Sequence, residues 1–461
     1  MDSRPSFSYR GDMNYVNPRR LALRVLSRWG RGDALLDEIL EAERQRHPLS
    51  PEDAALLHEL VLGTVRWQRR LDAVLDRLAR KGLASLPRPL LPVLRMAVYQ
   101  MMFLSRVPRH AIVDEAVKET KRGHAPGLAG LVNAMLRAAP EEPGSLPLAT
   151  TSTIERLGVA HSFPDFLVAQ WLEELGEAET EELLASLNQR PGLWLRVNRE
   201  RISVDDLRRH LSERGVETQP EPLHPAALRL PAGTRVFELP GYAEGWFVIQ
   251  DPAAMLVGEL CAAPAGGVVL DACAAPGGKT LQLAEQTGPQ GRVFALEPAY
   301  ARLARLRENV ARAGDARVVI IEADARRMPP SVPEVVDLAL VDAPCSGLGT
   351  LRRRVDLRWR LSPEDIPRLA ALAGEILDSV AEKVRPGGAL VYATCTLTHE
   401  ENEDVVQRFL SRHRAFTRRT VRPYLPAAAQ GFVNATGDLV VWPHRSGTDG
   451  AYAARLERTQ G

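Results

Sequence analysis

Two cysteines stand where covalent chemistry is possible. Cys345 lies in Asp342-Ala343-Pro344-Cys345-Ser346-Gly347 and Cys395 in Ala393-Thr394-Cys395-Thr396, each closing an apolar run that reads as a β-strand. A lone cysteine at a strand end is usually a small packing residue, the reading given to Cys261 and Cys273. A pair beside a carboxylate suits nucleophilic catalysis. Cytosine C5 is a poor carbon nucleophile, but a thiolate added to C6 makes it enamine-like and able to attack a sulfonium methyl group. A carboxylic acid held against N3 stabilises that adduct, a place open to Asp342, and a base must then take the C5 proton so that the thiol can leave. Both the thiolate and the acid need pKa values tuned by their surroundings.

Upstream, DACAAPGGKT (271–280) follows one apolar run and opens a helical one. Gly277 and Gly278 allow a tight turn and close approach of a ligand to the N–H groups of the helix start. The loop is not GxGxxG, and a P-loop reading fails because the first required glycine falls on Cys273. Glu297 ends the next strand, where a carboxylate accepts both hydroxyls of a ribose. Asp324 ends the third, within reach of an adenine amino group, and Asp342 ends the fourth. Each alone also suits a helix cap or a turn. Four successive strand ends of this kind resemble an S-adenosylmethionine (SAM) methyltransferase.

The elements that must position these residues change character along the chain. Residues 1–16 are polar and aperiodic and read as a disordered leader. Residues 17–140 carry helical apolar stripes and predict an all-α domain of five to seven helices. Residues 141–160 include EEPGSLPLATTST and read as a linker. Residues 161–240 mix helical and strand-like segments, a small α+β module. Residues 241–461 alternate apolar strands (VVLDA, VFALE, RVVIIEAD, VDLALVDA, ALVYATC) with helices, which predicts a parallel, doubly wound, Rossmann-like α/β sheet. Ligands bind such sheets at the carboxyl ends of the strands.

The chain has 461 residues, 45% hydrophobic and 25% charged, enough for several domains with cores of their own. The four cysteines, 12, 72 and 50 residues apart, exclude a disulfide scaffold and offer no CxxC, so no metal site is expected. No apolar run reaches a membrane-spanning length and no signal-peptide core opens the chain, so a reduced, cytoplasmic protein is expected. The net charge of +1 excludes a uniformly cationic nucleic-acid binder. It hides an asymmetry: 23 basic against 15 acidic residues over 1–140, 10 against 17 over 141–240, and 26 of each thereafter. A cationic helical segment on an otherwise neutral chain suits a polyanionic partner.

DACAAPGGKT, VDAPCSGLGTLRRRVDLRW, RPGGALVYATCTLTHEENE and the upstream EGWFVIQDPAA, in this order and spacing, resemble the NOL1/NOP2/Sun family of RNA cytosine-5 methyltransferases. With a helical N-terminal segment similar to the RNA-binding NusB fold, the likeness covers about residues 17–461. It implies SAM as cofactor and 16S rRNA as substrate, free or in an assembling small subunit, for an enzyme acting as a monomer. It implies that Cys395 is the nucleophile and that Cys345 assists release of the adduct. It also implies that Ala272, Cys273, Ala274, Ala275, Pro276, Gly277, Gly278, Lys279, Glu297, Asp324 and Asp342 line the SAM pocket. Glu297 stands where the family usually has Asp, and Thr396 where Ser is usual; both keep the functional group. The rival DNA cytosine-5 methyltransferases use the Pro-Cys cysteine as nucleophile and need no Thr-Cys motif. A binding protein with a decayed catalytic domain would not keep every motif residue.

Leu351–Arg360 holds five arginines in ten residues directly after the Pro-Cys motif. Next to the chemistry, Arg352, Arg353, Arg354 and Arg358 are expected to meet RNA phosphates. The target base must be splayed out of its stack to reach thiol and methyl donor.

Overall fold

The structure is a computed structural model that describes residues 17–460 except 33, 124–125, 143–144 and 146–149. The expected leader, 1–16, lies outside the described residues. The chain divides into two compact units with the break between Thr180 and Glu181.

The first unit is helical: α1 (Pro18–Trp29), α2 (Leu36–Arg46), α3 (Pro51–Arg66), α4 (Gln68–Leu78), α5 (Leu91–Phe103), α6 (Arg109–Arg122), α7 (Ala129–Ala138) and α8 (Thr153–His161). Helix α9 (Asp165–Leu187), kinked at Gly176, runs through the break. Local chemistry starts these helices. Asn17 caps α1 by accepting from Arg19 N, with Pro18 in the first turn, and Ser50 and Pro51 open α3 in the same way. Leu21, Val25, Leu57, Leu60, Leu71, Leu94, Val132 and Leu136 are fully buried in this unit. Helix α8 corrects the expected linker. Ser152 caps it through Glu155 N, while Glu155 reaches back to Thr151 N and Oγ1, so this Ser/Thr cluster is a helix start.

The second unit opens with β1 (Leu193–Val197), α10 (Val204–Ser212), β2 (Gln219–Pro220), β3 (Ala227–Leu230) and β4 (Phe247–Ile249), an antiparallel sheet in the order β2-β3-β1-β4. The α+β module therefore extends past its expected end at 240, because β4 pairs with β1 through Val197↔Phe247 and Leu195↔Ile249.

The remainder is α11 (Pro252–Cys261), β5 (Val268–Asp271), α12 (Gly278–Thr287), β6 (Arg292–Leu296), α13 (Tyr300–Ala313), β7 (Val318–Ile321), β8 (Val336–Asp342), α14 (Leu357–Arg360), α15 (Asp365–Ala381) and β9 (Val384–Thr394). It ends with α16 (Glu403–Arg412), β10 (Phe416–Arg419), β11 (Leu439–Val441), α17 (Pro443–Ser446) and β12 (Ala451–Arg458). The large sheet runs β10-β12-β9-β8-β5-β6-β7, and β11 pairs with β12. Strands β5 to β9 are parallel, as expected. The sheet is nonetheless mixed, since β12 joins β9 antiparallel and β10 and β11 join β12 likewise. Residues alternate between two covered faces. Ala339, Val341 and Leu390 pack with Ile376 and Leu377 of α15, whereas Leu338, Leu340 and Val391 pack with Leu256 and Leu260 of α11. The strand order reverses between β5 and β8, which opens a crevice at their carboxyl ends.

Candidate active site

Every residue of the site hangs from that crevice. Strands β8 and β9 are parallel neighbours in the register Asp342↔Ala393, and Ala343 N donates to Ala393 O at 2.8 Å just beyond it. The residues that follow each strand therefore emerge side by side. Cys345 Sγ and Cys395 Sγ end 3.4 Å apart. Gly349 lets the two loops close up: a Cβ there would lie 2.8 Å from the Cys395 carbonyl oxygen and 2.7 Å from that of Gly450.

The two thiols are not equivalent. The hydrogen bond from Cys345 lowers the pKa of Cys395, with Lys279 and Arg354 adding to the effect against burial and the charge of Asp342. Cys345, half-buried, is pushed well above an ordinary thiol by its hydrogen bond to Cys395 and by desolvation, and the Glu401 carboxylate adds to the rise. The surroundings thus favour ionisation of Cys395 over that of Cys345. Cys261 and Cys273 are raised by burial, and the Cys261 thiol donates to Val257 O within α11.

Beside the pair, Lys279 Nζ donates to Asp342 Oδ2 at 2.7 Å. Burial pulls the Lys279 pKa down, but Asp342 outweighs it and the net shift is upward. Lys279, expected with the cofactor loop, thus faces the carboxylate expected to act at the base. The loop itself is braced from two sides. Thr280 Oγ1 donates to Asp271 Oδ2 at 2.7 Å, and from α13 Asn309 Nδ2 donates to Pro276 O at 2.8 Å. Gly277 sits at φ +105, where a Cβ would fall 2.9 Å from Leu306 Cδ1.

Glu297 is buried one residue past β6; its Oε1 accepts from Ala299 N at 2.9 Å and its Oε2 pairs with Arg302 at 3.2 Å. Asp324 is three residues past β7, and both its oxygens accept from the Arg326 guanidinium. An adenine amino group would have to share them.

The residues fit a SAM molecule in two respects. Helix α12 starts at the glycine turn with no side-chain cap, which leaves its first N–H groups to a ligand. Asp271 is a buried carboxylate pushed up to about 6, chiefly by burial, and its Oδ1 has no hydrogen-bond partner among the described residues. Such an acceptor suits a cationic ligand. No cluster of three or more His, Cys, Asp or Glu able to hold a metal ion occurs among the described residues. No helix among them is long and apolar enough to cross a membrane.

The arginine-rich segment corrects its expected role. Arg358 is 0% exposed and Arg352 is 3% exposed. Arg358 Nη1 donates to Asn188 Oδ1 at 2.8 Å, and Arg352 donates to the carbonyls of Pro443, Gly447 and Thr448. Arg353 bridges Asp449 Oδ2 at 2.8 Å and Asp251 Oδ2 at 3.0 Å. Arg352 and Arg358 are internal struts, desolvated cations held by carbonyls and a side-chain amide of distant segments, and the half-buried Arg353 is tied down by two carboxylates. Of the four, only Arg354 is exposed.

Sequence reading missed Glu401. It is 1% exposed, and it accepts from Ser346 N at 2.7 Å, Ser346 Oγ at 2.5 Å and Thr398 Oγ1 at 2.8 Å. Nothing local distinguishes it from Glu400, which is exposed, or Glu403 in the same acidic stretch.

A switch-point glycine loop with acidic strand ends on this sheet defines an enzyme of the SAM-dependent methyltransferase class. A family model described as 16S rRNA methyltransferase RsmB/F matches residues 260–457, the NusB family model matches 16–140, and a ferredoxin-like domain model of RsmF/B-like methyltransferases matches 163–237. The chain is 37% identical to the probable ribosomal RNA small subunit methyltransferase B of Synechocystis sp., over 96% of its own length and 100% of that protein. It is 33% identical to ribosomal RNA small subunit methyltransferase B of Erwinia tasmaniensis, over 96% and 98% of the two chains. The crystal structure of PH0851 superposes with a TM-score of 0.80 at 27% identity, covering 96% of this chain and 99% of that one. The chain belongs to the ribosomal RNA small subunit methyltransferase B family.

Proposed function

We propose that this enzyme uses SAM to methylate C5 of a cytosine in 16S rRNA through a covalent bond between Cys395 and C6. The observation that carries the reading is the 3.4 Å cysteine pair, in which Cys395 is the more readily ionised thiol, beside the Lys279–Asp342 ion pair. When bound, SAM supplies an electrophilic methyl group. Cys395 adds to C6, and the electron pair displaced toward N3 is met by the proton held in the Lys279–Asp342 pair. The adduct leaves C5 nucleophilic. Once that carbon carries the methyl group, the C5 proton passes to a base, its C–H electron pair restores the C5–C6 double bond as the thiolate departs, and N3 returns its proton to the Lys279–Asp342 pair; the Cys345 S–H steadies the departing charge. Asp271, Glu297 and the turn at Gly277–Gly278 bind and orient the cofactor, with Asp324 at the rim.

Recognition of rRNA is supported by the cationic helical unit. One groove of that unit is lined by Arg20, Arg24, Arg28, Arg31, Arg88 and Arg95. In the catalytic unit Arg354 is the arginine exposed beside Cys395 and free of internal strut duty, which suits a phosphate flanking the flipped base. We assign the activity to the cytoplasm, where its rRNA substrate lies and its four free cysteines stay reduced.

The test is incubation with rRNA and SAM followed by denaturing electrophoresis. Cys345→Ser should accumulate a protein–RNA adduct and Cys395→Ser should form none. The reverse pattern would exchange the roles, and no adduct from either variant would refute the covalent route. Bisulfite sequencing of rRNA from cells with and without the gene reads out the position.

A further inference from the structure

We propose that Glu401 is a positioning residue that clamps the two cysteine loops together and sets the geometry of the thiol pair. The proposal rests on the catalytic reading of Cys345 and Cys395 given above. Ser346 follows Cys345 and Thr396 follows Cys395, and Glu401 engages both. Its Oε1 accepts the Ser346 backbone N–H and its Oε2 accepts the Ser346 hydroxyl, with Thr396 Oγ1 3.4 Å from Oε2. The Thr396 hydroxyl donates to Ser346 Oγ at 2.5 Å, so Ser346 links both loops to the carboxylate. Thr398 Oγ1 adds a further donor from the second loop.

The clamp is itself anchored to the sheet. Tyr392 of β9 donates its hydroxyl to the Glu401 carbonyl at 2.5 Å, and Thr394 donates to Asn402 Oδ1 at 2.5 Å. Glu401 therefore transmits the position of β9 to the loop that follows β8. Its surroundings are all donors, which favours the ionised carboxylate, although burial raises its pKa. The charge has a second effect. It faces the Cys345 thiol and opposes ionisation there, which favours Cys395 as the thiol that ionises. The other charges facing Cys395 are Asp342, Lys279 and Arg354.

Glu401→Gln tests this, because glutamine keeps the size but turns one acceptor into a donor facing donors. Two measurements are needed. In the first, the rate of covalent adduct formation with rRNA is followed in the Cys345→Ser background with and without Glu401→Gln. We expect a slowing of about tenfold or more, the factor for losing a hydrogen bond to a charged group. In the second, iodoacetamide labelling against pH, resolved by peptide mass, reads the titration of Cys395 in the chain with all four cysteines. We expect Cys395 to titrate at higher pH in Glu401→Gln than in the parent. A residue that merely supports the fold would lower the melting temperature and leave that titration in place. Ser346→Ala, which removes only one hydroxyl donor, should move the titration in the same direction by less, and it carries the test if Glu401→Gln does not fold. An unchanged Cys395 titration with an unchanged adduct rate overturns the proposal. If the Cys345→Ser parent forms no adduct, the covalent route fails instead, and the titration still decides the role of Glu401.

Discussion

Consider replacing Arg358 with methionine. The guanidinium is fully buried, with Nη1 donating to Asn188 Oδ1 at 2.8 Å and Nη2 reaching the Leu187 and Leu351 carbonyls at 3.4 and 3.5 Å. Methionine occupies much of the same apolar volume but donates nothing. One well-bonded acceptor is then stranded at a cost of about 1–3 kcal/mol, and the two longer contacts cost less. Removing a desolvated cation returns part of this, so the net loss should be about 3 kcal/mol at most. At roughly 2–4 °C per kcal/mol for a unit of this size, the melting temperature should fall by up to about 12 °C.

The assay pairs differential scanning calorimetry with filter binding of an rRNA fragment, at a temperature where parent and variant are both folded. Arg358→Met should melt early and bind RNA as the parent does. Arg354→Ala should behave in the opposite way. Its side chain is exposed, so stability should move by no more than about 0.5 kcal/mol. One lost phosphate contact should flatten the dependence of log affinity on log salt by about 0.7. If Arg358→Met keeps its melting temperature and loses RNA affinity, the internal-strut assignment is wrong, and with it the division between buried and exposed arginines.

Two further perturbations probe the cofactor side. Asp271→Asn should flatten the pH dependence of stability. The folded carboxyl sits at about 6, above its unfolded value, so its contribution is present at low pH and is lost as pH rises from about 4 to about 6. Unfolding free energies from urea titrations across that window should decline in the parent by up to about 3 kcal/mol more than in the variant, and parallel curves would refute the burial argument. Gly277→Ala places a Cβ 2.9 Å from Leu306 Cδ1 at φ +105, so about 1–2 kcal/mol of stability should be lost. SAM affinity by calorimetry should fall with it, and normal binding would mean that the turn does not cradle the cofactor.

The parallel strands and the cysteine-bearing ends were legible because both are short-range patterns: an apolar run, then Pro-Cys or Thr-Cys. Adjacency of β8 and β9 follows from that alternation once the sheet is doubly wound. The arginine segment misled because its partners are remote. Arg358 meets Asn188 170 positions away, and Arg353 meets Asp251 and Asp449 at separations of 102 and 96. A charge run read locally says nothing about which members turn inward. Helix α8 was hidden for a different reason, since the Ser/Thr residues that mark linkers also cap helices. Strand β4 was misplaced because only its pairing with β1, some 50 residues earlier, assigns it to the smaller sheet.

The 3.4 Å separation of the thiols has three separable sources. The register Asp342↔Ala393 brings the two loops out side by side, yet it leaves three residues to Cys345 and two to Cys395 in which the sulfurs could diverge. Gly349 removes part of that freedom by backbone contact with Cys395 and Gly450. The Glu401 carboxylate removes more by binding Ser346 and Thr396 together. Only the first source is a property of the fold; the other two are side-chain choices in loops. A SAM-dependent sheet of the same topology therefore need not deliver a matched thiol pair, and the covalent route proposed above requires residues that hold the loops as much as the cysteines they carry.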